Sequence, residues 1–216
     1  MKLLLLGTLI TMVTECYCGL YTVTEDVWFE IRVQDMDGPG MDYTGRFTVS
    51  VFGETVPMTA LNFISLAKGF KRGEKFLHYK GTKIHRVVPD FVVQMGDVTN
   101  SDGTSGESIY GERFNDENFL LSHRSSGWVA MANHGRDTNG SQFYILLTKA
   151  RWLDGKHVVF GKVTQGFDVI QVLGEVPSDP NTALPNKTIE VIDSGIIGLT
   201  KKYDLTEAQL DETGDL

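Results

Sequence analysis

Two polar side chains lie within an otherwise apolar stretch, in the segment KIHRVVPDFVVQMGD at residues 83–97. Arg86 precedes a pair of valines, and Gln94 follows Phe91 and two more valines. An arginine on a strand that is being buried needs a partner or a function, because an unpaired buried charge is costly. If the two segments pair as strands, the Gln94 amide can hydrogen-bond the Arg86 guanidinium and hold it towards a ligand. A salt bridge from Arg86 to a carboxylate on a neighbouring strand is the alternative, and the bare residues favour it.

Other reactive chemistries have weaker support in the sequence. The histidines show neither HExxH nor paired spacing, which argues against a zinc site; they are His78, His85, His123, His134 and His157. The chain also lacks a G-x-x-x-x-G-K-[ST] phosphate loop and a G-x-S-x-G nucleophile motif. We therefore predict no metal and no cofactor.

The length and the net charge of the chain limit the classes of protein to which it can belong. A chain of 216 residues is long enough for one generous core, so a single domain is the first expectation. The net charge of -8 argues against nucleic-acid and anionic-membrane binding, because both require clustered positive charge.

The amino-terminal 18 residues have the pattern of a secretory signal peptide. Lys2 is followed by an apolar run over 3–13, and small residues precede a cleavage point after Cys18. The run is too short to span a bilayer, so we expect no transmembrane segment in the mature chain. Both cysteines, Cys16 and Cys18, would leave with the peptide. The mature chain would then have no disulfide and no cysteine-ligated metal.

Hydrophobic periodicity predicts strands with a few helices. Period-two alternation over 27–33 and 46–51 predicts two paired strands, and a helix is predicted between Pro57 and Gly69. A second helix is predicted near 166–174. The remaining predicted strands cover 82–86, 91–96, 127–132, 141–147, 157–163 and 189–197. About eight strands with two helices predict an all-β barrel, since closure removes the edges of such a sheet.

The predicted domain covers residues 19–198, and an acidic carboxyl-terminal tail follows over 199–216. Thr206 and Gln209 in this tail have the spacing that caps a short helix. A solvated tail is the interpretation we favour from composition alone.

Four separated segments resemble the cyclophilins, the cyclosporin-binding peptidyl-prolyl isomerases. They are GTKIHRVVPDFVVQMGD at 81–97, SIYGERFNDENF at 108–119, WVAMANHGRDTNGSQFYI at 128–145 and WLDGKHVVFGKV at 152–163. The second segment is similar to the matching loop of the secretory-pathway branch, and the resemblance extends from about Val27 to Ile197. It implies a closed eight-stranded antiparallel barrel capped by two α-helices, in agreement with the periodicity.

The resemblance also assigns roles to individual residues. Arg86 occupies the place of the catalytic arginine, and Gln94 that of the glutamine that orients it; Phe91 and His157 complete the catalytic set. The substrate-binding positions are Val92, Ala132, Asn133, His134, Gln142, Tyr144, Trp152 and Leu153. The resemblance thus implies an isomerase that binds proline-containing peptides, client proteins and cyclosporin, and we expect a monomer.

Three positions depart from the family pattern. Val92 stands where a methionine is usual, Tyr144 where a phenylalanine is usual, and His134 where a small residue is usual. We expect these changes to weaken proline-ring and cyclosporin binding and to reduce activity. The alternative is a noncatalytic proline-peptide binding or escort protein on the same fold.

The expected location is the secretory pathway. The chain ends in DETGDL, which is not a K-D-E-L or H-D-E-L retrieval sequence, so lumenal residence in the endoplasmic reticulum and secretion both stay open. Asn139 and Asn186 begin N-glycosylation sequons. Asn139 lies in a groove motif that a glycan would block, so Asn186 is the predicted acceptor.

Overall fold

The computed structural model describes residues 19–211, and the predicted signal peptide lies outside these residues. The fold is built on one eight-stranded antiparallel sheet. Its strands are β2 (Glu25–Val33), β3 (Tyr43–Val51), β6 (Arg86–Val88), β7 (Val92–Met95), β8 (Trp128–Met131), β9 (Phe143–Leu146), β10 (Val159–Gln165) and β11 (Ile189–Ile197). Their order across the sheet is β11-β2-β3-β10-β8-β9-β7-β6.

Shorter elements complete the described part of the chain. Two small ladders form between β1 (Thr22–Val23) and β12 (Tyr203–Asp204), and between β4 (Phe70–Arg72) and β5 (Lys75–Leu77). The helices are α1 (Pro57–Lys68), α2 (Phe167–Glu175), α3 (Glu207–Asp211) and a 3₁₀ turn at Arg151–Leu153.

The main core lies on one face of the sheet. Strands β2 and β3 place alternate residues inward, as period-two sequences do, and Phe29 pairs with Phe47 in register with rings stacked 5.2 Å apart. Phe63 from α1 inserts from one end and contacts Phe143 and Phe160. Burial of these aromatic rings makes the sheet and its capping helix one unit.

Both predicted capping helices are present. Pro57 occupies the first turn of α1, and Gly69 ends the helix with φ +86°. The Glu117 carboxylate accepts the free N–H groups of Met58 and Thr59 at 2.9 and 2.8 Å, where the helix dipole also favours an anion. None of the helices described here has the length and apolarity needed to cross a membrane.

The prediction of a closed barrel is wrong, because the sheet is an open half-barrel. Strands β11 and β6 are its two edges and form no ladder with each other. Residues 81–84 approach β11 instead, where the Ile84 N–H donates to the Ile189 carbonyl at 3.0 Å and Lys83 forms an isolated bridge with Glu190. The strand predicted at 82–86 is found instead at Arg86–Val88. The residues before Arg86 make isolated contacts with β11 and form no regular strand.

The carboxyl-terminal arm, residues 203–211, packs against the sheet. Thr206 and Gln209 form the reciprocal capping pair, with 2.9 Å from the Thr206 N–H to Gln209 Oε1 and 3.3 Å from the Gln209 N–H to Thr206 Oγ1. Leu205 and Leu210 are buried in an outer hydrophobic cluster that also contains Trp128. The interpretation of this segment as a solvated tail is therefore wrong as far as residue 211.

Candidate active site

Arg86 and Gln94 face each other across the β6–β7 pair, as the strand interpretation predicts. Arg86 Nη1 donates to Gln94 Oε1 over 3.4 Å. Among residues 19–211 no carboxylate forms a salt bridge with Arg86, so the amide partner is the observed one. A short hairpin joins the two strands, and Asp90 within it adopts φ +57°, which short polar side chains tolerate. Phe91 follows this turn and lines the same cavity as Arg86.

A row of amides fixes the orientation of Gln94. Its Nε2 donates to Gln142 Oε1 at 2.9 Å, and the same oxygen accepts from His85 Nε2 at 3.1 Å. Gln142 Nε2 donates to the Gly103 and Ser105 carbonyls. Because both halves of the buried Gln142 amide have protein partners, this residue contributes to the site by holding Gln94.

A cavity of about 450 Å³ opens beside the guanidinium. It lies on the face of the sheet opposite the main core: Val92 and Tyr144 belong to a second hydrophobic cluster, whereas the next residues, Val93 and Ile145, belong to the core. Ten of the twelve predicted site residues line it: Arg86, Phe91, Val92, Gln94, Ala132, Asn133, His134, Tyr144, Leu153 and His157. The volume is that of an ordinary small-ligand or peptide-side-chain site.

The two other predicted residues border this cavity. Trp152 is 60% exposed at the rim and stacks on Phe91, with ring centroids 5.9 Å apart. Gln142 lines a neighbouring cavity of about 120 Å³ that shares Ala132 and His134 with the first. His134 thus stands at the junction of two cavities.

His157 and Tyr144 form one corner of the cavity, with ring centroids 5.5 Å apart in an edge-to-face arrangement. His157 Nδ1 lies 3.0 Å from the Met131 carbonyl, so this nitrogen carries the proton. Burial lowers the pKa of His157, against the opposing effect of that carbonyl. A neutral imidazole at neutral pH therefore presents its Nε2 as an acceptor.

The Tyr144 hydroxyl has a protein partner. It lies 2.8 Å from His123 Nε2, behind the wall of the cavity. The sequence left open whether this hydroxyl would be stranded beneath a bound proline ring. Its bond to His123 removes the desolvation cost that a stranded hydroxyl would carry.

Five cavity-lining residues were missed by sequence reasoning: His85, Asp102, Gly103, Thr104 and Thr182. Three of them belong to a loop that the buried Asp97 organises, by accepting the N–H groups of Thr99, Asn100, Gly103 and Ser105. Thr182 comes from the proline-rich loop, whose Ala183 carbonyl accepts the Val87 N–H at 2.8 Å. A glycine-rich composition signals a loop but not which surface it covers.

Among the described residues, no three histidine or carboxylate side chains converge as metal ligands would.

Comparison with protein families identifies the family of the chain. The model described as cyclophilin type peptidyl-prolyl cis-trans isomerase/CLD matches residues 37–195. This span includes every residue that lines the cavity beside Arg86. The family binds proline-containing peptides and catalyses rotation about the bond that precedes proline. The chain belongs to the cyclophilin-type peptidyl-prolyl cis-trans isomerases and is an enzyme of that activity.

Proposed function

We propose that this isomerase assists the folding of proline-containing client proteins in the secretory pathway, with Arg86 as its catalytic arginine. One observation carries the catalytic part. The Arg86 guanidinium, bonded to Gln94, borders a cavity in which Phe91, Val92 and Tyr144 supply apolar wall. A positive donor beside an apolar ring pocket is the arrangement that prolyl rotation needs.

The energetic demand on the site is modest. An X-Pro bond rotates over a barrier of roughly 18–20 kcal/mol and isomerises in tens to hundreds of seconds. A turnover on the order of 10³ per second corresponds to a barrier of about 13 kcal/mol. The enzyme must therefore lower the barrier by roughly 5–7 kcal/mol, with no bond broken and no proton moved.

We assign the lowering of the barrier to the electrostatic effect of Arg86 on the transition state. Resonance is lost in the twisted transition state, and the proline nitrogen becomes pyramidal with a free lone pair. The guanidinium donates to that lone pair, which is absent from the planar ground state, so it stabilises the transition state selectively. The apolar walls hold the ring while the preceding carbonyl turns. This mechanism requires no metal and no cofactor.

The secretory location rests on three features. The signal-like segment 1–18 contains both cysteines, so residues 19–216 have none that the oxidising compartment would pair. Asn186 is exposed in the proline-rich loop, whereas Asn139 is fully buried. Asn139 Nδ2 also donates to the Phe114 carbonyl and to Asp116 Oδ1. A secreted chain would thus present one accessible sequon.

A prolyl isomerisation assay on residues 19–216, with and without cyclosporin, tests the catalytic proposal. We expect accelerated cis-trans exchange that the drug inhibits at the cavity beside Trp152. A folded protein that binds proline peptides without accelerating exchange would overturn the proposal.

Expression of the full chain in secretory cells, followed by intact-mass analysis and peptide mapping, tests the location. We expect cleavage after Cys18 and glycan at Asn186 only. Retention of residues 1–18 in the product, or glycan on Asn139, would contradict it. Asn186→Gln is the control that should remove the entire glycan mass.

A further inference from the structure

Three side chains form a hydrogen-bonded chain behind the wall of the proline cavity. The Tyr144 hydroxyl lies 2.8 Å from His123 Nε2, and His123 Nδ1 lies 2.8 Å from Asp154 Oδ1. His123 is fully buried and Tyr144 is 5% exposed. His123 does not line the cavity, so the hydroxyl points away from the space a proline ring would occupy.

The direction of each hydrogen bond follows from the Asp154 carboxylate. Burial would raise the pKa of Asp154, but bonds from the His123 backbone and ring and from Arg151 bring it below its usual value. An ionised carboxylate only accepts, so His123 Nδ1 carries the proton and donates. Burial lowers the pKa of His123; Asp154 opposes this effect, and the charges of His157 and Arg151 add to it. In the neutral ring, Nε2 then accepts the hydrogen bond that the Tyr144 hydroxyl donates.

The same histidine is also hydrogen-bonded to the turn that contributes Leu153 to the cavity wall. Its backbone N–H donates to Asp154 Oδ1 at 2.9 Å, and its carbonyl accepts the Ala150 N–H at 3.2 Å. Ala150 and Asp154 flank the 3₁₀ turn Arg151–Leu153, which carries the rim and wall residues of the cavity. His123 therefore bridges strand β9 to this turn.

We propose that His123 is a positioning residue of the isomerase, which with Asp154 holds the Tyr144 ring and the Trp152–Leu153 turn at the separation that a proline ring requires. This proposal rests on the proline pocket proposed above. It also assigns a function to the hydroxyl at position 144, which is bonded behind the wall so that the pocket receives only the apolar ring.

The arrangement makes ring binding sensitive to acid. Once His123 is protonated, Nε2 becomes a donor and the Tyr144 O–H loses its acceptor. The hydroxyl proton then has no acceptor behind the wall, so the hydrogen bond that fixes the Tyr144 ring in the cavity wall is weakened. We expect KM to rise on acidification while kcat, which depends on Arg86, changes less.

The test measures kcat and KM for a proline-containing peptide between pH 5 and pH 8 in four proteins. They are the parent, Tyr144→Phe, His123→Asn and the double variant. Asparagine at position 123 keeps a donor for Asp154 but offers Tyr144 no acceptor, so we expect KM to rise about three- to tenfold at pH 7.5. Tyr144→Phe removes the stranded hydroxyl, so the double variant should have a lower KM than His123→Asn alone.

The pH profile supplies a second readout that general destabilisation would not move. The acid-side rise in KM should be present in the parent and absent from Tyr144→Phe, although both retain His157. His78→Asn is the matched control: this half-buried histidine bonds the Ala67 carbonyl at 3.0 Å, away from the cavity, and its loss should leave KM at the parent value.

Two results would overturn the proposal. One is a His123→Asn protein with the parent KM throughout the pH range. The other is a double variant whose KM increase combines those of the two single variants without interaction. If His123→Asn does not fold, the pH dependence of KM in the parent and in Tyr144→Phe still tests the proposal. An equal rise of KM at acidic pH in both proteins would contradict a role for the hydrogen bond between His123 and Tyr144. Failure of the proposed catalytic mechanism is distinguishable, because it would appear as full turnover in Arg86→Ala whatever the His123 variants do.

Discussion

Arg86 lies directly opposite Gln94 in the β6–β7 ladder, and the amide oxygen of Gln94 is the acceptor for its guanidinium. A carboxylate in that place would neutralise the guanidinium and compete with a substrate nitrogen for its protons. An amide orients the group while leaving its charge available. The pairing therefore suits a side chain that stabilises a transition state more than one that stabilises the fold.

Arg86→Ala should abolish most turnover. Loss of one donor that acts in the transition state costs about 10²–10³ in kcat, whereas peptide affinity should change less because the apolar walls remain. Arg136→Ala is the control, since that guanidinium is highly exposed outside the cavity and should leave kcat unchanged. Parent-like turnover in a folded Arg86→Ala protein would refute the mechanism.

Val92→Met should strengthen proline binding. Methionine adds about one heavy atom to a cavity wall, worth about 0.8 kcal/mol or fourfold in affinity. We expect that gain in both kcat/KM and cyclosporin affinity. The same substitution at Val88, which does not line the cavity, should give none.

Tyr144→Phe, unlike Val92→Met, should not strengthen proline binding. The Tyr144 hydroxyl is bonded to His123, so Val92→Met with Tyr144→Phe should gain no more than Val92→Met alone. A clear extra gain from Tyr144→Phe would mean that the hydroxyl opposes ring binding, as the sequence first suggested.

The site was more predictable from the sequence than the connections that support it. The predicted site residues lie in the segments 81–97, 128–145 and 152–163, whose resemblance to the family is local in the sequence. The contacts of His123 and Thr182 join segments far apart in the chain, and no local periodicity encodes them.

Barrel closure and the arm were mispredicted for a similar reason. Closure depends on whether residues 81–84 pair as a ladder with β11, which their composition does not reveal. The sequence predicts a solvated arm because two leucines within an acidic segment are a weak signal. The cluster that buries them, which includes Tyr21, Phe52 and Trp128, comes from distant parts of the chain.

Folding stability should fall as the pH drops below about 6.5, the usual histidine pKa. Burial lowers the pKa values of His85, His123 and His157 in the folded protein, so the unfolded chain binds protons first. The unfolded state then carries more protons than the folded state, and the free energy of unfolding rises with pH across this window. Each histidine contributes a slope of at most about 1.4 kcal/mol per pH unit.

Urea unfolding at pH 5.5, 6.5 and 7.5, above the range in which ordinary carboxylates titrate, measures this slope. His123→Asn should reduce it, since an asparagine cannot titrate. A free energy of unfolding that is independent of pH in this range would show that the three histidines titrate alike in the folded and unfolded states.

Leu210→Ala should detach the carboxyl-terminal arm from the outer face of the sheet. Leu210 is fully buried beside Trp128, and the Trp128 indole N–H donates to the Leu210 carbonyl at 3.1 Å. Arg124 holds the same helix through Glu207 at 2.8 Å and Asp211 at 3.0 Å. The two carboxylates of these ion pairs are exposed to water, so the pairs should contribute less than the buried leucine.

The expected loss is about 2–5 kcal/mol in the free energy of unfolding, as for other buried leucines. Exposure of Trp128 to water should shift its fluorescence to the red, and trypsin should cut more readily at Lys201 or Lys202. Leu61→Ala is the control, because Leu61 is 53% exposed on α1 and its truncation should cost within about 0.5 kcal/mol. If Leu210→Ala matches Leu61→Ala in stability and proteolysis, the arm adds nothing to the fold. The hydrophobic cluster that it shares with Val92 and Tyr144 would then be held together by the sheet alone.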